Sequence, residues 1–122
     1  MAKHNILGKK GEDIAARFLS GKGYRIIERN WRTGRDEIDI IAYDKETLVI
    51  VEVKTRSTDY FGEPEEAVTM QKQKFLVRAA EVFVNQKEID SEIRFDIISI
   101  IIEQGKETIK HIEDAFYPTI YE

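Results

Sequence analysis

The sequence predicts a single α/β domain, in which helices flank a mixed β-sheet in the order αβββαβ(β). Three observations lead to this class. Apolar residues recur at helical spacing in two segments and at strand spacing in the segments between them. One helical segment joins two strongly apolar strands, which is the pattern of a parallel βαβ unit. The 122 residues suffice for one core, and no linker-like stretch divides residues 1–122.

A helix and then a strand begin this order. Apolar positions at helical spacing define the helix over residues 7–20, and Gly21 and Gly23 follow as stop signals. The strand covers residues 24–31 and has two consecutive isoleucines at its centre. We therefore expect the first helix to lead directly into the sheet.

Two further strands form a predicted hairpin. In residues 37–43 the period of two places Ile38 and Ile40 on one face and Asp39 on the other. Residues 47–51 are apolar on both faces, as expected of a central strand. The loop between the two strands is short, so we expect them to pair in antiparallel orientation.

The second half of the chain predicts a long loop, a helix and one or two strands. Residues 56–68 form a loop of the length typical of functional or mobile segments. Thr69 is the predicted N-cap of a helix that reaches about Gln86. A mostly apolar strand follows over residues 94–102, and a weaker edge strand over residues 107–112. Because the helix crosses between them, the strands before and after it should lie parallel.

The composition excludes several kinds of site. The chain has no cysteine, which excludes disulfides, thiolate zinc sites and a cysteine nucleophile. Its two histidines, His4 and His111, lie near opposite termini and offer little for a histidine-rich metal site. The apolar runs are of strand length, far below the ~20 residues of a membrane span, and no cleavable signal precedes them. We therefore expect a cytoplasmic protein.

The net charge of −4 conceals an uneven distribution. Residues 1–35 hold nine basic and three acidic side chains, whereas residues 36–122 hold ten basic and twenty acidic ones. The first third could bind a polyanion. The alternative is that these charges form a solvated helix face and strand edge.

The strongest chemical signal lies at the end of the central strand. If the hairpin loop has two or four residues, Asp39 lies directly opposite Glu52, with their Cβ atoms about 5 Å apart. Two like charges on an otherwise apolar face are destabilising unless a cation lies between them. The available ligands are all oxygen atoms, which suits Mg²⁺ or Mn²⁺. The alternative is a surface ion pair between Lys54 and one of these carboxylates.

A third carboxylate, Glu12, is expected nearby. Helical spacing places it on the apolar side of the first helix, although the helix dipole alone also favours an acid there. Together with Asp39, Glu52 and Lys54, it forms a set that metal-assisted phosphodiester hydrolysis requires. The carboxylates would hold the ion, and the lysine would orient the nucleophile or stabilise the transition state.

Five other residues are candidates for contacts with nucleic acid. Arg32, Arg35 and Arg56 border the candidate site in sequence and are predicted to contact phosphates; otherwise they are solvated strand ends. Lys72 and Gln73 begin the second helix and are predicted to face the same cleft. The alternative for these two is a surface position at the start of the helix.

An ordered set of motifs supports a family resemblance. Asp39, twelve further residues and then Glu52-Val53-Lys54 resemble the PD-(D/E)xK nuclease superfamily, whose small members include archaeal Holliday-junction resolvases. A longer set resembles the YraN family of bacterial proteins from residue 8 to about residue 100. The matching positions are Gly8, Gly11-Glu12, Ala15, Gly23-Tyr24, Asn30-Trp31-Arg32, Glu37-Ile38-Asp39, Val51-Glu52-Val53-Lys54-Thr55-Arg56, Phe61-Gly62, Ala67-Val68-Thr69, Lys72-Gln73 and Arg94-Phe95-Asp96.

This resemblance implies a restriction-endonuclease-like fold and a role for each residue of the set. Asp39 and Glu52 would be metal ligands, and the carbonyl of Val53 a third ligand. Lys54 would be the catalytic ammonium, and Glu12 an auxiliary ligand that acts directly or through water. The implied metal is Mg²⁺ or Mn²⁺.

The implied function is a metal-dependent endonuclease that acts on DNA, including branched DNA. Resolvase-like relatives suggest a homodimer, because symmetric cutting of two strands needs two sites. One alternative is a nucleic-acid-binding module that keeps the fold without catalysis, and another is an interaction adaptor that uses the acidic residues 63–66. Asp36 departs from the family, which usually has glycine there, and adds a negative charge beside the site.

Overall fold

Seven elements make up the part of the chain that the structure describes, and they confirm the predicted α/β class. The computed structural model describes residues 6–57 and 68–117. The elements are α1 (Ile6–Gly21), β1 (Arg25–Thr33), β2 (Asp36–Asp44), β3 (Thr47–Arg56), α2 (Met70–Lys87), β4 (Ile93–Glu103) and β5 (Lys106–Phe116). Neither helix within the described ranges combines the length and apolar character needed to cross a lipid bilayer. The acidic residues 63–66 and most of the predicted loop lie outside the described residues.

The five strands form one mixed sheet in the order β1-β2-β3-β4-β5. Only β3 and β4 are parallel, and α2 connects them, as the predicted βαβ unit requires. In the β2–β3 hairpin, Ile40 lies opposite Val51 and Asp44 opposite Thr47, which is the predicted register. The edge strand β5 has 11 residues and is longer than predicted, because it follows β4 over most of its length.

Each face of the sheet is covered by one helix. The core under α1 includes Leu19, Val49 and Val51, and the core under α2 includes Leu48 and Phe83. Loss of a large, fully buried side chain such as Phe83 typically costs about 3–5 kcal/mol. Alternate residues of β3 therefore anchor the two helices on opposite faces.

β2 changes face at Asp39. Ile40 and Ala42 belong to the core under α1, whereas Ile38 lies with Ile41 in the core under α2. A strand with an unbroken period of two would place Ile38 and Ile40 on the same face. The predicted alternation of this strand is therefore wrong on the N-terminal side of Asp39.

β1 changes face at the same level of the sheet. Asn30 lies between the pairs Arg29–Ile40 and Trp31–Ile38, and its φ of 52° is in the left-handed region. Before it, Arg29 binds Asp13 of α1 at 2.7 Å; after it, Trp31 packs edge-on against a phenylalanine of α2. The hydrophobic pattern did not predict this break, because a single left-handed residue leaves no periodic signal.

Candidate metal and catalytic site

The candidate site begins where the β2–β3 ladder ends. Ile40 and Val51 are the last paired residues, and the next residue of each strand toward the site is acidic. Beyond that pair, the Val53 N–H donates a hydrogen bond to Asp39 Oδ2 at 2.9 Å. The N–H and C=O of one strand residue point toward the same neighbouring strand. The Val53 carbonyl therefore also faces β2, where a third oxygen ligand was predicted.

Glu52 is buried, with a relative exposure of 4%. Its Oε2 lies 3.4 Å from Lys54 Nζ and 3.6 Å from Lys72 Nζ. Its Oε1 is also buried and has no hydrogen-bond partner among the described residues. Burying a carboxylate oxygen without a hydrogen bond costs free energy of folding, so such an oxygen indicates a ligand position or another functional role.

Asp39 is destabilised in its charged form. Burial raises the pKa of its carboxyl well above the ordinary value, and the negative charge of Glu52 raises it further. The charge of Glu12 also raises this pKa, whereas the Val53 N–H and the Lys72 ammonium lower it. A cation beside Asp39 and Glu52 would remove this repulsion.

Glu12 approaches from the opposite face of the sheet. It is 7% exposed, and its Oε1 accepts a hydrogen bond from Asn30 Nδ2 at 3.0 Å. The preceding residue must be glycine, because a Cβ at Gly11 would collide with the Thr55 hydroxyl of β3. This close approach of α1 to β3 brings Glu12 to the level of the face change.

The donor set fits a magnesium ion with open coordination positions. Within residues 6–57 and 68–117, no three Asp, Glu, His or Cys side chains are grouped closely enough to hold a metal ion. The charges of Glu12 and Glu52 therefore act on Asp39, but the three carboxylates do not surround one metal position. Mg²⁺ is usually bound by only one or two carboxylates together with water and substrate phosphates. Asp39 and Glu52 supply two carboxylates, and the Val53 carbonyl supplies a neutral oxygen.

The two predicted contacts at the start of α2 have different surroundings. Thr69 is the N-cap, as predicted, and its Oγ1 accepts a hydrogen bond from the Lys72 N–H at 3.2 Å. This cap fixes the first turn, so that the Lys72 side chain reaches Glu52. Gln73 Nε2 instead donates a hydrogen bond to the Val68 carbonyl at 3.3 Å, next to the N-terminus of the helix.

The three predicted arginine contacts lie along β1, its turn and the end of β3. Arg32 is exposed on β1, and its Nε is 3.7 Å from Glu37 Oε2. Arg35 is exposed in the turn between β1 and β2, and Arg56 is partly buried as the last residue of β3. Arg32 and Arg35 are therefore the more accessible to an external phosphate.

Asp36 has an intramolecular partner. Arg78 of α2 binds both of its carboxylate oxygens, at 2.9 and 3.0 Å. The same guanidinium lies over the Phe75 ring, 5.0 Å from its centroid. The negative charge that Asp36 adds beside the site is thus matched by a charge on α2.

A second polar cluster surrounds Asp96, which the sequence indicates as a local hydrogen-bonding residue; its contacts with β5 were not predicted, because they join residues far apart in sequence. Asp96 of β4 accepts hydrogen bonds from Arg94 Nε and Nη2, from His111 Nε2 and from the Asp114 N–H, all within 3.0 Å. Burial acts to raise the pKa of Asp96, but these donors outweigh burial and hold it below the ordinary value. The ionised carboxylate is fully paired within the protein.

Comparison with known proteins places the chain in a family. A family model described as "Uncharacterised protein family UPF0102" matches residues 11–100. A UPF0102 protein of Bacteroides thetaiotaomicron is 51% identical over 99% of this chain and 100% of its own length. Another, from Flavobacterium psychrophilum, is 51% identical over 96% of this chain and 98% of its own. The Pyrococcus furiosus SfsA structure with Ca²⁺ is 20% identical, with a TM-score of 0.34, and the match covers 93% of this chain and 64% of that one. The chain therefore belongs to the UPF0102 (YraN) family, as its ordered motifs predicted.

Proposed function

We propose that this protein is a metal-dependent endonuclease that hydrolyses phosphodiester bonds in DNA, with a PD-(D/E)xK site. One observation carries the proposal: Glu52 is 4% exposed, yet its Oε1 has no hydrogen-bond partner among the described residues. Asp39 beside it is itself destabilised by the charge of Glu52. A structural ion pair would have both carboxylates satisfied, whereas this arrangement favours a bound cation.

The residues that would hold the cation are Asp39, Glu52 and the Val53 carbonyl. When bound there, Mg²⁺ or Mn²⁺ supplies Lewis-acid chemistry: it offsets charge on a phosphate oxygen and acidifies water. The Val53 N–H fixes the Asp39 carboxylate from one side, which leaves a defined direction for its remaining lone pairs. Glu12 adds a further negative charge on the α1 side, in keeping with an auxiliary role.

Two lysines provide positive charge beside the carboxylates. Lys54 and Lys72 both point their ammonium groups at Glu52 Oε2, and their side chains are 33% and 38% exposed. Each lysine side chain is therefore partly exposed to solvent while its ammonium lies next to Glu52. A phosphate bound next to Glu52 would meet both, so Lys54 can stabilise developing negative charge in the transition state. Lys72 then acts as a second cation that holds the phosphate.

The first third of the chain carries a set of exposed basic side chains, called the basic surface below. Exposed side chains of α1 and of the edge strand β1 form it, together with the turn that follows β1. Its members are Lys9, Lys10, Arg17, Arg25, Arg32 and Arg35. Such a surface suits the sugar-phosphate backbone, whose contacts supply most of the non-specific affinity for DNA. Symmetric cutting of branched DNA would in addition need two copies of the chain.

Cleavage assays test this function. The wild type and the variants Asp39→Asn, Glu52→Gln and Lys54→Met are incubated with four-way junction, flap, duplex and single-stranded DNA in Mg²⁺ or Mn²⁺. We expect cleavage by the wild type and at least 100-fold slower cleavage by each variant, on the scale typical of lost transition-state stabilisation. Glu46→Gln, an exposed change at the other end of the same hairpin, is the matched control and should cut normally.

The alternative is a nucleic-acid-binding module without catalysis. The basic surface would suffice for it, since binding through phosphates needs no metal. Salt-dependent DNA binding that survives loss of Asp39 and Glu52, without cleavage by the wild type, would replace the proposed function by this one. Equal cleavage by wild type and Glu52→Gln would exclude the proposed site.

A further inference from the structure

Asn30 has an unusual backbone for a residue in a strand. Its φ is 52°, and the residues on either side of it face opposite helices. The left-handed region is unfavourable for most side chains, and glycine, asparagine and aspartate tolerate it best. Glycine would adopt it with the least strain. The presence of asparagine therefore points to a use for its side chain.

The side chain of Asn30 connects two elements of the candidate site. Its backbone belongs to β1, between the residues that pair with Ile40 and Ile38 of β2, and its amide donates to Glu12 Oε1 of α1 at 3.0 Å. Glu12 is only 7% exposed and accepts this bond in a partly buried setting. An ionised aspartate at this position could not donate, and it would repel Glu12.

We infer that Asn30 is a positioning residue, whose left-handed backbone aims its amide at Glu12 and holds that carboxylate toward the end of the sheet where Asp39 lies. This inference rests on the proposed metal-dependent function. Asn30 does not touch the metal; it acts through Glu12. Residues that orient metal-site carboxylates in this way typically change metal affinity by 10- to 100-fold when they are lost.

Mn²⁺ titration calorimetry on the full chain tests the inference. Asn30→Gly keeps a residue suited to the left-handed backbone but removes the amide. We expect it to bind Mn²⁺ about 10- to 100-fold more weakly than the wild type. Gln104→Gly is the matched control, because Gln104 has a φ of 51° in the β4–β5 turn, away from the site, and should bind Mn²⁺ normally.

A double-mutant cycle separates positioning from a general loss of structure. If Asn30 acts through Glu12, Asn30→Gly should weaken Mn²⁺ binding no further in a Glu12→Gln background. Multiplied losses in the double mutant would overturn the inference, and so would wild-type affinity in Asn30→Gly. If Asn30→Gly does not fold, the isosteric Asn30→Asp is tested instead. It should bind Mn²⁺ at least about 10-fold more weakly than the wild type, and wild-type affinity would overturn the inference. A wild type that binds no Mn²⁺ overturns the proposed function itself, which is a separate result.

Discussion

Asp96 and Glu52 are buried carboxylates on neighbouring central strands, yet the groups around them differ. Each oxygen of Asp96 accepts two hydrogen bonds, and the donors come from β4, β5 and the backbone. Glu52 has one oxygen between two lysines and one with no hydrogen-bond partner among the described residues. The negative charge of Glu52 also acts on a second acid, Asp39, whose pKa it raises in addition to the effect of burial.

The difference separates a complete polar cluster from an incomplete one. Protein donors hold the pKa of Asp96 below its ordinary value, whereas burial and Glu52 hold the pKa of Asp39 well above its own. Burial acts in the same direction on both carboxyls, so the neighbours decide the sign. The Asp96 cluster needs no further partner, whereas a bound cation or a proton would relieve the repulsion between Asp39 and Glu52.

The largest expected effect comes from breaking the complete cluster. Asp96→Ala leaves the partly buried Arg94 without its main partner, and loss of one member of such a pair costs about 3 kcal/mol or more. Asp39→Asn removes a repulsion, so it should not lower the free energy of unfolding at neutral pH. Urea denaturation of both variants measures this contrast. Equal losses would show that the two carboxylates play the same structural part.

Metal binding should stabilise only the incomplete pair. At 100 times its dissociation constant, a ligand that binds the folded state adds about 2.7 kcal/mol. We therefore expect Mn²⁺ or Mg²⁺ to raise the melting temperature of the wild type and of Glu46→Gln. The same ions should leave Glu52→Gln unchanged. A shift of equal size in Glu52→Gln would place the ion elsewhere.

The pH dependence should have opposite signs for the two carboxylates. The raised pKa of Asp39 favours the folded state while the group is protonated, and this contribution is lost as the pH rises through the folded-state pKa. The lowered pKa of Asp96 stabilises the fold above the unfolded-state value, and this contribution is lost as the pH falls through the folded-state pKa. Relative to Asp39→Asn, the wild type should therefore lose stability toward neutral pH. Relative to Asp96→Ala, it should lose stability toward acid pH.

Urea denaturation from pH 3 to 8 measures how the stability difference between the wild type and each variant changes with pH. Changes of the same sign for the two variants would contradict the proposed difference between the two carboxylates.

The sequence predicted the incomplete cluster better than the complete one, for a physical reason. Asp39 and Glu52 belong to one hairpin, where loop length fixes the register, and both directly follow its last pair, Ile40–Val51. Asp96 and His111 meet through the pairing of β4 with β5, whose register the sequence did not predict.

The sequence predicted that Lys72 faces the cleft but did not predict its contact with Glu52. Its contact with Glu52 depends on where the crossover helix settles on the sheet, and local spacing does not determine that. Asn30 was the least predictable, because its left-handed backbone interrupts a pattern that would otherwise continue.

The smallest expected effect tests whether Asp36 disturbs the incomplete site. Arg78 is 61% exposed, but the Asp36 side chain whose two oxygens it binds is only 10% exposed, so Arg78→Met should lower the melting temperature modestly. It would, however, leave an uncompensated negative charge beside the path proposed for DNA. We expect a few-fold weaker DNA binding at low salt, and a difference that disappears as the salt concentration rises. Fluorescence anisotropy across a salt series measures it. Asp36→Asn in the Arg78→Met background should restore the affinity, because the charge that the arginine compensates is then gone.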